Sequence, residues 1–260
     1  PRLEIIKLKK NLGWSGGNNF GIRTLLARQS EVVALLNNDI RVDPRWLEAA
    51  KLAFLSDPRI AVVGFSVIEP TRENGDRLIE FMDACLSTRD IVWTSTSNVG
   101  GMCMVIRASV FESLGYIDEH FFAYGEENDF ELRVKRASLE IVEVKIPVWH
   151  HGEGTFKKYR FKAAYLQTKN NIQLLIKHKT ALEIIRSGLL HIRRRIIRRE
   201  SDLESRRGVE GRLSGGSRME AIVVSTLASA AIIFQMPAIL RRRKVDMARA
   251  DLIKSALSNE

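Results

Sequence analysis

The stretch Val99–Gly154 reads VGGMCMVIRASVFESLGYIDEHFFAYGEENDFELRVKRASLEIVEVKIPVWHHGEG. The Gly100-Gly101 pair opens an apolar run predicted as a strand to Ile106, and Ala108–Leu114 follows as a short helix. An aromatic run, Phe121-Phe122-Ala123-Tyr124, then delivers Glu126, Glu127 and Asp129 to the start of a helix predicted over Glu126–Ala137. Glu140–Lys145 reads as a strand, and Trp149-His150-His151 follows it. Acids in a first helical turn complement the helix dipole and cap free N–H groups whatever else they do. That accounts for one or two of the three. It does not account for the aromatic, glycine-containing loop before them or the histidines after the next strand. A polar site built at one edge of a sheet accounts for all of these features.

Upstream, Val32–Leu36 is a continuous apolar run, the pattern of a strand buried on both faces. It ends in Asn37-Asn38-Asp39. Polar residues at the C-terminal end of a parallel strand sit where open α/β sheets bind ligands. A carboxylate there, Asp39, suits a hard divalent cation that bridges substrate phosphates. Asn and Asp ahead of Pro44 also suit a plain turn, and the residues alone leave the two readings even. Further upstream, Asn11–Ile22 (NLGWSGGNNFGI) reads as a Gly/Asn-rich turn feeding a helix from Asn18 to Gln29. The N–H groups of such a turn can hold phosphate or sugar. P-loop spacing and its lysine are missing, so that motif is excluded, and a tight strand-to-helix turn explains the stretch as well.

Residues 4–8 are predicted as a short strand, Pro44–Leu55 as a helix opened by its proline, and Ile60–Phe65 as another buried strand. Residues 69–98, with turn signals at Pro70 and Asn74-Gly75, read as an irregular segment or short helix. Strands alternating with helices indicate an α/β domain with a mostly parallel sheet.

Beyond Thr155 the pattern is helical. Phe156–His178 is one helix. Ala181–Arg199 is a second, basic and amphipathic, with Arg193, Arg194, Arg195, Arg198 and Arg199 against an apolar stripe of Ile184, Ile185, Leu189, Ile192 and Ile196. Residues 200–218 read as a linker. Ala221–Leu240 is uncharged, as long as a membrane span, and followed by Arg241-Arg242-Arg243-Lys244. Its Ser225, Thr226, Ser229, Gln235 and Pro237 favour a helix in the membrane interface over a clean span; the bland alternative is packing on the domain itself. The expected division is therefore a catalytic domain over 1–155, a helical extension over 156–199, the linker, and a membrane-associating tail over 219–260.

Length and composition set the frame for these readings. At 260 residues the chain holds one good-sized domain plus extra elements, and 45% apolar with 28% charged residues marks it as folded. Cys85 and Cys103 are too few for a disulfide framework and fit a reducing compartment. Residues 1–160 carry 21 basic and 22 acidic groups, whereas residues 161–260 carry 20 and 9. A neutral domain with a tail of net +11 suggests an anionic partner, membrane or nucleic acid. The arginines are not interleaved with aromatics, so nucleic acid is not expected. The opening PRLEIIKLKK has no apolar core of leader length.

NLGWSGGNNFGI, ALLNNDI, VGGMCMVIRASVFESLGYIDEHFFAYGEENDFELRVKR and VWHHGEGTF, in this order, resemble glycosyltransferase family 2, inverting enzymes of GT-A fold, in its bacterial rhamnosyl- or galactofuranosyl-transferring flavour. The later YLQTKNNIQLLIKH and PAILRRRK resemble that family's following helix and basic ending, and most of residues 3–179 is covered. The resemblance implies a GT-A-like, mostly parallel sheet flanked by helices and followed by a helical region. It implies transfer of a sugar from a nucleotide-sugar donor to a hydroxyl of a glycan or polyprenol-linked acceptor. It places Asp39 as ligand to Mg²⁺ or Mn²⁺, with His150 completing the metal site and His151 as the alternative. It places Glu127 as general base, where the family usually has Asp, with Glu126 and Asp129 beside it in the catalytic cluster. Asn11, Gly17, Asn18, Asn37, Gly100 and Gly101 fall at substrate-binding positions, and Asp118 and Arg133 at architectural ones. It also implies a cytoplasmic enzyme held on the inner face of the plasma membrane. The family opens with strands that would precede Leu3-Glu4-Ile5, about two βα units of ~30 residues each. An N-terminally truncated chain is therefore expected, with the activity assigned to the intact parent. A non-catalytic remnant serving as scaffold and a nucleic-acid-binding protein using the basic tail are the competing readings.

Overall fold

A computed structural model describes residues 3–69, 77–151, 159–184, 186 and 218–258. Its first half alternates strands and helices: α1 (Gly13–Leu26), β1 (Val32–Leu36), β2 (Ile40–Val42), α2 (Trp46–Ser56), β3 (Ile60–Ile68), α3 (Leu78–Ser87), β4 (Trp93–Ser95), β5 (Cys103–Arg107), α4 (Ala108–Leu114), α5 (Glu126–Arg136) and β6 (Glu140–His150). The later elements are α6 (Arg160–His178) and α7 (Arg218–Leu257).

The strands form one sheet in the order β1-β5-β3-β6-β2, with β4 also paired to β6. The β3–β6 ladder is parallel, and β1–β5, β3–β5, β2–β6 and β4–β6 are antiparallel. β1, β3 and β6 therefore share one direction, and β5 runs against them between β1 and β3. The α/β class stands. The mostly parallel pairing expected from the alternation of strands and helices is replaced by three co-directional strands, with β5 reversed between two of them and β2 and β4 running against β6. The connection from β3 to β5 leaves and re-enters at the same end of the sheet, which reverses β5, whereas parallel neighbours need a crossover.

Both faces of the sheet are buried. Met104 and Ile106 of β5 join Ile22, Val110, Phe111, Leu114, Phe130 and Val134 on one face, beneath α1, α4 and α5. Cys103 and Val105 join Ala49, Ala50, Ala53 and Phe54 of α2 on the other. This is why β5 reads as an unbroken apolar run: alternate side chains feed two cores. β1 differs from its expected burial. It is an edge strand among the described residues, with Val32 and Leu36 exposed and Val33 and Leu35 buried. Residues 4–8 are not a strand here. They are exposed and take no ladder partner, and apolar alternation alone does not make a strand.

Three further differences matter for the site. α1 begins at Gly13, five residues before the predicted start. β6 runs on to His150, past Pro147, where its register with β3 shifts. A short strand absent from the sequence reading, β2, pairs with β6 so that Ile40 faces His150. The 69–98 region contains α3 and β4.

The chain divides into two compact units, residues 1–152 with 249–260, and residues 153–248. In the first, Ala250 and Ile253 at the end of α7 contribute to the first core, and Arg249 donates to the Leu114 carbonyl. In the second, Arg243 caps the C-terminal end of α6, donating to the carbonyls of Ile176 (2.6 Å) and Lys179 (2.7 Å). Buried Lys177 pairs with Asp246 at 3.1 Å. The basic run at 241–244 thus serves partly inside this unit rather than wholly toward an outside partner. The arginine-rich part of the second predicted helix, the linker, Pro70 and Asn74-Gly75 lie outside the described residues.

Candidate active site

The carboxyl ends of β1, β3 and β6 and the start of β5 lie at one edge of the sheet, and the predicted polar residues gather there. The start of α1 is set by a tertiary contact. Gly13 has a φ of 74°, and the Phe122 carbonyl accepts the Trp14 N–H at 2.7 Å. A Cβ at Gly13 would overlap that carbonyl. The oxygen satisfies helical N–H groups that a local cap would otherwise serve. Asn11 does not point away for a ligand. Its Oδ1 accepts the Gly13 N–H at 2.8 Å in an Asx turn. Gly17 and Asn18 lie inside the helix, and the Asn18 amide donates back to the Trp14 carbonyl at 2.9 Å. The glycine-rich turn is therefore a glycine-rich first helical turn.

Phe122 (φ 64°), Tyr124 (φ 73°) and Gly125 (φ 86°) hold left-handed backbone just before α5. For the two non-glycine residues this costs about 1–2 kcal/mol each. Such strain persists where surrounding contacts over-determine the loop. Asn19, fully buried, is one of them: its amide donates to the Ile117 carbonyl at 2.8 Å and accepts the Ile117 N–H at 3.1 Å. Asp118 supports the same loop by accepting the His120 N–H at 3.1 Å.

At the start of α5 the three acids part company. Glu126 is buried, and its Oε2 finds no hydrogen-bond partner. Burial, then repulsion from Glu127, pushes its pKa up to about 8. Glu127 is half-buried and also shifted upward by burial, with its Oε1 accepting from the Asn128 amide at 3.0 Å. Asp129 does not join them. It is fully buried and bonded to Arg133 Nε at 3.0 Å, while Arg133 donates to the carbonyls of Leu114 and Tyr116 at 2.9 Å each. The geometry gives Asp129 a structural role, orienting the guanidinium that ties α5 to the 114–116 turn, in place of the catalytic one expected. The architectural reading of Arg133 holds.

Of the two glycines, Gly101 faces Glu127, whereas the Gly100 N–H turns to Glu131. Gly101 lies between Trp14 and Glu127, each about 3.4 Å from where its Cβ would be. Trp14 Nε1 donates to Asn37 Oδ1 at 3.1 Å, and the Asn37 N–H donates to the Met102 carbonyl at 2.9 Å. Asn37, Gly101 and Glu127 are thus gathered around one indole. Trp14 and Glu131, whose carboxylate receives the Val99 N–H at 2.8 Å, were missed in the sequence. Both look like ordinary core or surface positions until the fold folds them in.

Asp39 and His150 come together through β2. His150 Nε2 lies 3.4 Å from Asp39 Oδ1, and the His151 N–H donates to the Asp39 carbonyl at 2.9 Å. His150 Nδ1 lies 2.8 Å from Glu69, another residue unmarked in the sequence. The His151 ring stands against Trp149 instead. Among the described residues no group of three or more His, Cys, Asp or Glu gathers in metal-binding geometry. The pair fits a hard cation in a narrower sense. Mg²⁺-like ions use one or two protein ligands plus substrate phosphate oxygens, and a ligating histidine typically gives its other nitrogen to a carboxylate, as His150 does to Glu69.

Fold and site together define an α/β domain with a carboxylate-rich site at the carboxyl ends of its strands. Residues 1–115 match the family described as Glycosyl transferase family 2. The chain is 32% identical over 165 residues to the low-salt glycan biosynthesis hexosyltransferase Agl10 of Haloferax volcanii, covering 60% of this chain and 53% of that protein. It is 28% identical over 151 residues to the O-antigen biosynthesis protein RfbC of Myxococcus xanthus, covering 50% of this chain and 12% of that one. It overlays the mannosyltransferase PcManGT of Pyrobaculum calidifontis, solved with GDP-Man and Mn²⁺, at 14% identity and a TM-score of 0.45, over 96% of this chain and 68% of that one. GalNAc-T7, solved with UDP, GalNAc and Mn²⁺, gives 15% identity and a TM-score of 0.46 over 65% of this chain and 35% of that one. The likeness to glycosyltransferase family 2 covers residues 1–115, and the chain spans about half the length of Agl10.

Proposed function

We propose that the protein of which this chain is all or part is an inverting glycosyltransferase that moves a sugar from a nucleotide-sugar donor to a hydroxyl of a glycan acceptor. The observation that carries this reading is the packing of Gly101 between Trp14 and Glu127, with Trp14 bonded to Asn37, two residues before the Asp39 that meets His150. A hydroxyl is a poor nucleophile until a carboxylate within hydrogen-bond reach takes its proton. Glu127 takes it. The acceptor oxygen bonds to the anomeric carbon as the bond from that carbon to the diphosphate breaks on the opposite face. The diphosphate leaves with the electron pair, and the configuration inverts. Burial raises the Glu127 carboxyl above its ordinary value, which makes it a stronger base when ionised. Glu126, pushed up to about 8 by burial, stays protonated at neutral pH and offers a proton rather than taking one. Asp39 and His150 would hold Mg²⁺ or Mn²⁺, whose charge would offset that of the departing diphosphate.

We further propose that α7 holds the enzyme at a membrane, on the cytoplasmic face, where a lipid-linked acceptor would present its hydroxyl. α7 is long and apolar enough to cross a membrane by length and composition, and Ile222, Ile233 and Phe234 are exposed on it.

The test is turnover of a panel of UDP- and GDP-sugars with Mn²⁺ by the full-length protein, alongside Asp39→Asn and Glu127→Gln. Transfer by the native protein, and its loss by about 10²-fold or more in each folded variant, is the expected outcome. Native-like turnover by either variant removes that residue from the chemistry.

A further inference from the structure

The carboxylate that the proposed reaction leaves unused is Glu131. It sits one helical turn after Glu127 on α5 and is 1% exposed. Its Oε1 accepts the Val99 N–H at 2.8 Å, and its Oε2 accepts the Asn98 amide in a short hydrogen bond. The Gly100 N–H adds to the same carboxylate. Asn98 is held a second time, its amide donating to Asn128 at 3.0 Å. Both chain segments that meet at Glu131 lead into the site: α5 carries Glu126 and Glu127, and the 98–101 turn carries Gly100 and Gly101. Under that turn, Gly64 of β3 leaves room for Val99, since a Cβ there would overlap the valine side chain. A buried carboxylate that spends its oxygens on the backbone of one short turn is a costly way to fill space. A leucine would serve the core better.

We propose that Glu131 is a positioning residue. It clamps the Asn98–Gly101 turn to α5 and so sets the spacing between the Gly101 backbone and Glu127, across which the reacting sugar must fit. This rests on the site assignment above for its catalytic consequence, but the clamp itself is independent of it. Glu131 performs no proton transfer, because its oxygens face the turn.

The full chain carrying Glu131→Gln or Glu131→Ala tests this by amide hydrogen exchange. The glutamine variant preserves volume and one acceptor, so it keeps the fold even if alanine does not. Removing or weakening this acceptor of buried N–H groups is expected to speed exchange at Val99 and Gly100 roughly ten- to hundredfold, with β3 and β6 unchanged. With the panel donor turned over fastest, kcat is expected to fall at least about tenfold while the donor KM changes less than about threefold, because the clamp acts on alignment rather than on capture. Unchanged exchange at 98–101 in both variants overturns the proposal. So does acceleration spread evenly over the sheet, which would make Glu131 a general strut. A native protein that turns over no donor defeats the glycosyltransferase reading alone, since the exchange result still decides the clamp.

Discussion

Four carboxylates on one helix illustrate how position decides use. Glu126, Glu127, Asp129 and Glu131 lie within two turns of α5, yet Asp129 orients an arginine, Glu131 ties down a turn, Glu127 lies against Gly101 and Glu126 is buried beside it. Glu126 allows a direct check of its environment. Its folded pKa near 8 stands well above the ordinary value near 4.3. Below pH ~4 both folded and unfolded forms are protonated and the group costs nothing. Between these values the folded protein keeps a proton that the unfolded chain loses, so stability falls as pH rises, and above about 8 the full penalty is present. Glu126→Gln is therefore expected to raise Tm at pH 8.5, with the gain shrinking toward pH 4. A gain that grows on acidification would mean the carboxyl is charged in the folded protein.

Helix α1 shows the same dependence on place among its glycines. Gly13 is left-handed and lies under the Phe122 carbonyl, so Gly13→Ala meets both a backbone penalty and a clash. The expected loss is about 2 kcal/mol or more, read from the denaturant midpoint. Gly17 is helical and nothing lies within reach of an added Cβ. Gly17→Ala should be neutral or stabilising by up to about 1 kcal/mol. If the folded Gly17→Ala protein loses transfer activity, the open space at Gly17 belongs to substrate; full activity would remove Gly17 from the binding site. At this scale the sequence was legible in part. The composition of residues 11–21 marked an unusual helix entry, but whether those glycines formed a turn or the helix itself was settled by Phe122, about a hundred residues away.

At the scale of the whole chain, the neutral first part and basic second part take on different uses. Some of the basic charge is consumed internally, by Arg243 on the end of α6 and Lys177 on Asp246. Outward on α7 stand apolar side chains, Phe234 at 89% exposed and Ile233 at 71%, together with exposed Arg241 and Lys244. If this surface enters lipid, the full chain should float with anionic vesicles. Phe234→Asp together with Ile233→Asp should weaken that binding by at least about tenfold, since each buries apolar area worth ~2 kcal/mol. Binding abolished by 0.5 M salt but insensitive to the double substitution would point to the basic residues instead.

The sequence by itself determined the α/β class, the helix that bears the acids, the apolar strands and the likeness to family 2 motifs. Each of these depends on short-range periodicity or on local runs of residues, which a linear reading can see. Only the tertiary structure decided that β5 is reversed, that β2 exists and sets Asp39 against His150, that Glu69 backs that histidine, and which of the acids on α5 are spent on architecture. Those outcomes depend on pairings between residues tens of positions apart, whose energies come from burial and hydrogen bonds that form after the chain has closed on itself.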